Sequence, residues 1–170
     1  AARMCRLQPE DCQFLDMPFY ELGRYRRFRL KKADTAALGA VLEDFQPHSV
    51  FVTGDASDPS SPQAIAFRAF AGAWAARAGE KMPDCKVWLY RGRDRPFAAH
   101  EIDMAVPMSP DQLDQKVEAT RKFMSINETD LTAASRNQET AKIYDALGMA
   151  EYEAIEAFRR WESEGDGETS

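Results

Sequence analysis

The sequence predicts an α/β fold in which helices cover both faces of a mostly parallel β-sheet, giving three layers. Short β-branched and aromatic segments alternate along the chain with longer amphipathic segments, an order typical of β-α-β units. The 170 residues, 44% of them hydrophobic, are enough for one domain with a substantial core. Because ligands in such folds bind beyond the carboxyl ends of the strands, the loops after the strands are the candidate sites.

The strands are predicted from runs of β-branched and aromatic residues. Residues 49–53 (SVFVT) and 85–90 (CKVWLY) are predicted buried strands, and residues 102–106 form another. Residues 13–15 are a candidate short strand. The pattern of residues 152–161 suits either a last strand or a last helix, and both alternatives stay open.

Four helices are predicted from apolar residues at helical spacing and from residues that favour helix ends. Asp34 is the predicted N-cap of the first helix, which Pro47 stops. Ser109 and Gln112 form a predicted capping box at the start of the third. The four predicted ranges are 34–46, about 62–78, 110 to about 124, and about 136–147.

The overall charge is acidic but uneven. A net charge of −6 and a pI near 5.0 argue against a general nucleic-acid binder, because nothing offsets the repulsion of the phosphates. Residues 24–32 (RYRRFRLKK) contain six basic residues and no acid, so binding of protein or nucleic acid there is one alternative. The overall acidity favours the other, a solvated edge strand whose charges prevent edge-to-edge pairing. Residues 162–170 are predicted to be a disordered acidic tail, which leaves residues 1–161 as the domain.

Cysteine content and hydropathy indicate a cytoplasmic protein without a membrane partner. The three cysteines show no CxxC spacing, and no apolar run approaches the roughly 18 residues of a membrane span. We find no signal peptide. The first residues resemble the end of a helix, which leaves open whether Ala1 is the natural start.

The loop 54–63 follows the predicted strand 49–53 and carries two carboxylates. Asp55 and Asp58 could bind a metal ion or act as a base, whereas Asp58, Ser60 and Ser61 could instead cap the next helix. Capping is the favoured interpretation, because the loop offers no imidazole to a zinc ion.

Two further candidates follow later strands. Arg91 and Arg93 could hold a carboxylate or a phosphate, or could be solvated turn residues. His100 lies between strands near Glu101 and could act as a base, although no partner nucleophile is evident. His48 precedes its strand and is predicted to lie at the surface.

Several ordered segments together resemble the PIG-L/LmbE de-N-acetylase family, in the branch found behind glucosamine-6-phosphate deaminase domains in some bacteria. The resemblance covers nearly the whole chain up to Trp161 and implies a Rossmann-like fold that lacks the family's first strand or strands. It rests on Pro47-His48, GDASDP at 54–59, DCKVWLYRG at 84–92, MAVPMSP at 104–110 and AKIYDALG at 141–148.

The resemblance implies a zinc-dependent hydrolysis that this sequence is not equipped to perform. Family members bind one zinc ion through a His-Pro-Asp-Asp motif, absent here, and through a later histidine in a stretch such as Asp-Pro-His-x-x-His. The histidine positions of that stretch fall on Ser60 and Gln63. We therefore expect no metal and a degenerate, structural or ligand-sensing domain.

The expected partners are a sugar phosphate, and either an upstream deaminase domain or another copy of the chain. The alternative is an active metal-dependent hydrolase that uses Asp55, Asp58 and His100. The two hypotheses differ in whether the protein carries a divalent metal ion.

Overall fold

The computed structural model describes residues 6–15, 17, 30–78, 81–92, 94–123, 132–148 and 152–163. The chain forms two compact units. We call Leu15–Tyr90 with Arg160–Ser170 the first unit, and Ala1–Phe14 with Arg91–Arg159 the second unit. Most of the basic stretch, Arg93 and the tail beyond residue 163 lie outside the described residues.

The first unit contains a β-α-β unit preceded by a helix. Its elements are α1 (Lys32–Phe45), β1 (Ser49–Thr53), α2 (Pro62–Ala73) with a π-helical turn (Trp74–Ala78), and β2 (Lys86–Tyr90). Strands β1 and β2 are parallel, in a register that runs from Ser49 opposite Lys86 to Thr53 opposite Tyr90. The helix between the two strands runs back in the opposite direction to both, so the second strand runs parallel to the first.

The N-cap of helix α1 is Lys31, three residues before the predicted N-cap, so the assignment of Asp34 as N-cap is wrong. Asp34 is the third helical residue, fully buried, and its Oδ2 accepts a hydrogen bond of 2.7 Å from the backbone N–H of Lys31. A carboxylate stabilises a helix at either position, because both lie at the positive end of the helix dipole. The helix ends at Phe45, before Pro47 as predicted, and its C-cap Gln46 has a φ of 45°.

Helix α2 begins as the turn chemistry predicts but is not α-helical to residue 78. Ser61 caps it by accepting a 3.1 Å hydrogen bond from Ala64 N–H, and Pro62 is the first helical residue. The regular helix ends at Ala73, and the wider π-helical turn follows.

An aromatic cluster forms the centre of the first unit. The ring centroids of Phe70, Trp74 and Trp161 lie between 5.7 and 6.2 Å apart, in tilted or edge-to-face arrangements. Leu42 of α1 and Val87 of β2 are buried in the same core. Burying each such large side chain contributes about 1.5–3 kcal/mol, which makes this cluster a main source of the unit's stability.

The second unit contains β3 (Met104–Met108), α3 (Pro110–Phe123), α4 (Thr132–Ala146) and β4 (Ala154–Trp161), whose last two residues belong to the first unit. Strands β3 and β4 are antiparallel, with Met104 opposite Phe158 and Met108 opposite Ala154. Two helices connect them, so the chain returns in the opposite direction. The predicted capping box is present, because Ser109 and Gln112 each accept a hydrogen bond from the other's backbone N–H.

The α/β class predicted from the sequence is confirmed, with corrections to single elements. Residues 152–161 contain a strand, not a helix, and β3 starts two residues later than predicted. Residues 13–15 form no strand, and the side chain of Phe14 is 85% exposed. The pairing is parallel in one strand pair and antiparallel in the other.

Candidate functional site

The loop 54–63 starts where the carboxyl ends of β1 and β2 lie side by side. The backbone N–H of Gly54 donates to the carbonyl oxygen of Tyr90 over 2.7 Å. A Cβ at Gly54 would lie 3.1 Å from the Cβ of Leu89, which is closer than ordinary packing allows. Glycine therefore lets the loop leave β1 tightly against β2, at the edge where α/β proteins bind ligands.

Asp55 is the buried carboxylate of the loop. Asp55 is only 5% exposed, and its backbone N–H donates to the Oγ1 of Thr53 over 3.3 Å. Thr53, the last residue of β1, is itself buried. The side chain of Asp55 is thus held within the unit rather than presented on its surface.

Asp58 is exposed and is used by the turn that precedes α2. Its Oδ1 accepts hydrogen bonds from the hydroxyl of Ser60 over 2.6 Å and from the Ser60 backbone N–H over 2.8 Å. These two bonds, the hydroxyl first, lower the pKa of the Asp58 carboxyl below its ordinary value. The favoured capping interpretation is therefore correct for Ser61, which caps α2. Asp58 and Ser60 instead close the turn that precedes the helix.

Gln63 occupies the second position that the resemblance assigns to histidine. Its side chain is half-buried, and the buried Oε1 atom has no hydrogen-bond partner. An amide oxygen is a weak, neutral ligand compared with an imidazole. Gln63 therefore gives the loop an unsatisfied acceptor but not the missing metal ligand.

The loop does not fit a zinc ion. A catalytic zinc site needs three protein ligands with one position open for water. Among the described residues, no three histidine, cysteine, aspartate or glutamate side chains are grouped so that they could hold a metal ion. Asp58 already uses one oxygen for the turn, and Ser60 gives its hydroxyl to Asp58.

The Arg91 turn, residues 91–97, belongs to the second unit. The Nη1 of Arg91 donates to the carbonyl oxygen of Arg95 over 2.8 Å, and its guanidinium carbon lies 4.3 Å from the ring centroid of the buried Phe97. The Nε of Arg91 is buried and has no acceptor. Of the two predicted ligand residues, Arg91 is fixed in this turn, and Arg93 lies outside the described residues.

His100, the weak candidate for a base, is exposed in the 3₁₀ turn Ala99–Glu101 of the second unit. Its neighbour Glu101 accepts a 2.9 Å hydrogen bond from Ala98 N–H and lies 3.1 Å from Arg159. The Ala98 hydrogen bond is the main reason that the pKa of Glu101 is lowered, and the charges of Arg91, Arg159 and His100 add to it. Asp55 and Asp58 lie together in the first unit, and His100 belongs to the second.

Arg136 is a residue that the sequence analysis missed. It lies on α4, and its Nη1 donates to the carbonyl oxygen of Gly92 in the Arg91 turn. In the sequence it is only one residue of a predicted helix, and 44 positions separate it from Gly92. Only the tertiary fold could have revealed this contact.

A cavity of about 410 Å³ lies elsewhere in the first unit. It is lined mainly by Trp74, Met82, Cys85, Val87 and Trp161, and so lies toward the amino end of β2, opposite the loop 54–63. Burial raises the pKa of the Cys85 thiol, which keeps it in its unreactive protonated form. The cavity therefore does not coincide with the predicted site.

The chain has an α/β fold, and the loop after β1 keeps the Asp58-Pro59 pair of the motif that the resemblance indicated, with Ser60 and Gln63 at its histidine positions. No family model matches the chain. A glucosamine-6-phosphate deaminase-like protein of Bacteroides thetaiotaomicron is 35% identical in an alignment of 159 residues that covers 85% of this chain. This match confirms the predicted relationship to proteins that are associated with glucosamine-6-phosphate deaminase. The chain spans only 24% of that relative's length.

A solved structure is also similar in part. The zinc-inhibited form of a teicoplanin deacetylase is 15% identical, with a TM-score of 0.42, over 76% of this chain and 52% of the other.

In the described residues, no helix is long and apolar enough to cross a membrane.

Proposed function

We propose that this chain is a non-catalytic de-N-acetylase-like domain that functions in amino-sugar metabolism. The domain binds a sugar phosphate at the Arg91 turn. The relative's description as glucosamine-6-phosphate deaminase-like supports the link to amino sugars. The observation that carries the loss of catalysis is the state of the loop 54–63. Its serines and Asp58 close a turn and cap a helix, and Gln63 replaces an imidazole.

Loss of the histidine that would stabilise the developing oxyanion is sufficient reason to expect no deacetylation. Removing one such electrostatic stabiliser typically costs on the order of 10²–10³ in rate, before any loss of metal is considered. Ser60, whose hydroxyl is bound to Asp58, carries no positive charge that could replace an imidazolium.

The Arg91 turn supports the choice of a phosphate-bearing ligand. A guanidinium group has a planar set of donors that matches phosphate oxygens, and a side chain fixed by stacking loses little entropy on binding. The stacking of Arg91 on Phe97 and its bond to Arg95 give it that fixed position.

Metal analysis and an acetate-release assay test the loss of catalysis. Protein purified without a histidine tag should carry less than about a tenth of an equivalent of zinc. It should release no acetate from N-acetylglucosamine 6-phosphate, with or without added zinc. Stoichiometric metal together with acetate release would establish the active hydrolase that uses Asp55, Asp58 and His100 instead.

Isothermal titration with glucosamine 6-phosphate and N-acetylglucosamine 6-phosphate tests the ligand. We expect binding of at least one, weakened in Arg91→Gln and kept in Arg95→Gln. The second variant is the matched control, because Arg95 contributes its backbone carbonyl to the turn. Flat titrations of the unmodified protein with both compounds would exclude the sugar-phosphate ligand.

The partner that we propose is a deaminase domain in the same polypeptide, with self-association of the chain as the alternative. The relative that carries the deaminase-like description is about four times as long as the matched segment. Light scattering of this chain, alone and mixed with a glucosamine-6-phosphate deaminase domain, separates the two. A monomer that binds no deaminase domain would contradict both.

A further inference from the structure

The cavity of the first unit has a wall of aromatic and other apolar residues. Its volume of about 410 Å³ lies within the range of small-molecule sites, roughly 300–1,000 Å³. Trp74 and Trp161 line it, with ring centroids 6.2 Å apart and ring planes at 81° to each other. Met82 and Val87 line it too and are buried. A ligand in this cavity would therefore contact indole rings and a thioether.

The mouth of the cavity carries one charge of each sign. Arg160 and Glu162 both line the cavity and are exposed. Within the described ranges, the Glu162 carboxylate has no hydrogen-bond or ion-pair partner. Cys85 also lines the cavity, and burial raises the pKa of its thiol, so it contributes sulfur without charge. Glu162 thus brings an unpaired negative charge to a cavity that is lined by indole rings.

These groups together favour a positively charged ligand. The face of an indole ring is electronegative and attracts a cation, more strongly than the rings of tyrosine and phenylalanine do. The sulfur of Met82 is polarisable, and the Glu162 carboxylate supplies a full counter-charge. Arg160 opposes this preference, but its exposure to water weakens its effect on a ligand inside the cavity.

The cation that fits this wall is organic. Among the described residues, no three histidine, cysteine, aspartate or glutamate side chains are grouped so that they could hold a metal ion. A metal ion would also exchange its water shell for apolar groups, at a large cost in free energy. A substituted ammonium ion instead places alkyl groups against Trp74, Trp161 and Val87 and keeps its charge near the ring faces.

We propose that this cavity binds a small organic ammonium ion, with Trp74 and Trp161 against its alkyl groups and Glu162 as its counter-charge. Trp74 is the first residue of the π-helical turn, a rare conformation that occurs frequently at functional sites. The cavity belongs to the first unit and the Arg91 turn to the second, so this ligand is separate from the sugar phosphate.

Tryptophan fluorescence measures the binding directly, because two of the three tryptophans line the cavity. Trp88 on β2 is the third and does not line it, so Trp88→Phe leaves only the two reporters. Choline chloride should change the fluorescence of this variant in a saturable way, with sodium chloride keeping the ionic strength constant. Neohexanol, the uncharged analogue of choline with carbon in place of nitrogen, should bind about tenfold more weakly, the scale of a desolvated cation–π contact.

Charge variants at the mouth of the cavity test the sign of the ligand's charge. Glu162→Gln should weaken choline binding by about threefold to fivefold, because it removes a partly solvated counter-charge. Glu139→Gln is the matched control, since Glu139 is an exposed glutamate of α4 that does not line the cavity. Arg160→Gln should leave choline binding unchanged or strengthen it.

Trp161→Leu removes one of the two rings and should weaken choline binding by about tenfold. Melting curves of all variants show whether this substitution in the aromatic cluster leaves the protein folded. Glu162 and Arg160 are exposed, so their variants provide the test if Trp161→Leu does not fold.

Several results would overturn the ammonium site. Equal binding of choline and neohexanol would show a merely apolar cavity, and no saturable response to choline would show no site. Choline binding that Arg160→Gln weakens would contradict a cationic ligand. An unchanged affinity in Glu162→Gln, or an equal loss in Glu139→Gln, would exclude Glu162 as the counter-charge. None of these results bears on the sugar phosphate at the Arg91 turn, which its own titrations test.

Discussion

Replacing Asn137 by leucine should destabilise the second unit, because this buried amide joins three of its elements. Asn137 lies on α4 and is 7% exposed. Its Nδ2 donates to the carbonyl oxygen of Ile155 in β4 over 3.0 Å, and its Oδ1 accepts from the Nζ of Lys116 in α3 over 3.0 Å. Pro107, which lies opposite Ile155 in the β3–β4 register, has no N–H to offer that oxygen.

The size of the effect follows from what leucine leaves behind. The Ile155 carbonyl oxygen loses its side-chain donor in a buried place, which costs about 1–3 kcal/mol. The Lys116 ammonium loses one acceptor but keeps Glu156 at 2.8 Å, and both side chains are partly solvated, so this adds at most about 1 kcal/mol. The total of about 1–4 kcal/mol is a large part of a typical stability and should lower Tm by roughly 3–12 °C.

Urea unfolding followed by circular dichroism measures this effect, with Lys116→Met as the comparison. Lys116→Met removes the ion pair with Glu156 and the donor to Asn137 Oδ1 but keeps the Asn137–Ile155 bond, so it should cost about 1–2 kcal/mol. A midpoint for Asn137→Leu equal to that of the unmodified protein would refute the reasoning. So would a larger loss for Lys116→Met, because the stability would then lie in the ion pair.

Three further predictions concern a helix cap, a carboxyl group and a thiol. Ser61→Ala should destabilise the protein by about 1 kcal/mol in thermal melts, since it removes the acceptor for Ala64 N–H, and Ser61→Asp should restore the loss. The pKa of Glu101 is lower in the folded state, so its contribution to stability is present above about pH 4 and is lost as the pH falls below that. Glu101→Gln should reduce the change of the urea unfolding midpoint with pH in this range. An unchanged pH dependence would contradict the role given to Glu101. Cys85 should react with a thiol reagent much more slowly in native than in urea-unfolded protein, because burial raises its pKa; equal rates would show that it is accessible.

The parts of the fold that local chemistry decides could be predicted from the sequence. The β-branched run of β1 and the Ser109–Gln112 capping box carry their own signals, and both are present in the structure. Asp34 was misplaced because a carboxylate serves equally well as the N-cap or as the third helical residue. The π-helical turn Trp74–Ala78 has no local signal, since its residues also suit an α-helix.

The candidate site divides in the same way. The turn of Asp58 with Ser60 and the cap by Ser61 join residues two or three positions apart, and such bonds follow from residue type and spacing. The bond from Arg136 to Gly92 depends on how α4 packs, and no pattern within α4 distinguishes Arg136 from a solvated arginine. The sequence therefore predicted the loop 54–63 and Arg91, but it did not predict the contact of Arg136.

The loop 54–63 shows how a non-catalytic domain, as we propose this one to be, would keep its fold. Starting α2 requires an acceptor for its first N–H groups and a closed turn before it, and Ser61, Asp58 and Ser60 meet both needs without a metal ion. A histidine at position 60 would remove the 2.6 Å bond between the Ser60 hydroxyl and Asp58 and release that carboxylate. The serine at the position that the resemblance assigns to histidine is thus the residue that closes the turn. Histidines at positions 60 and 63 would consequently disturb the turn that precedes the helix start.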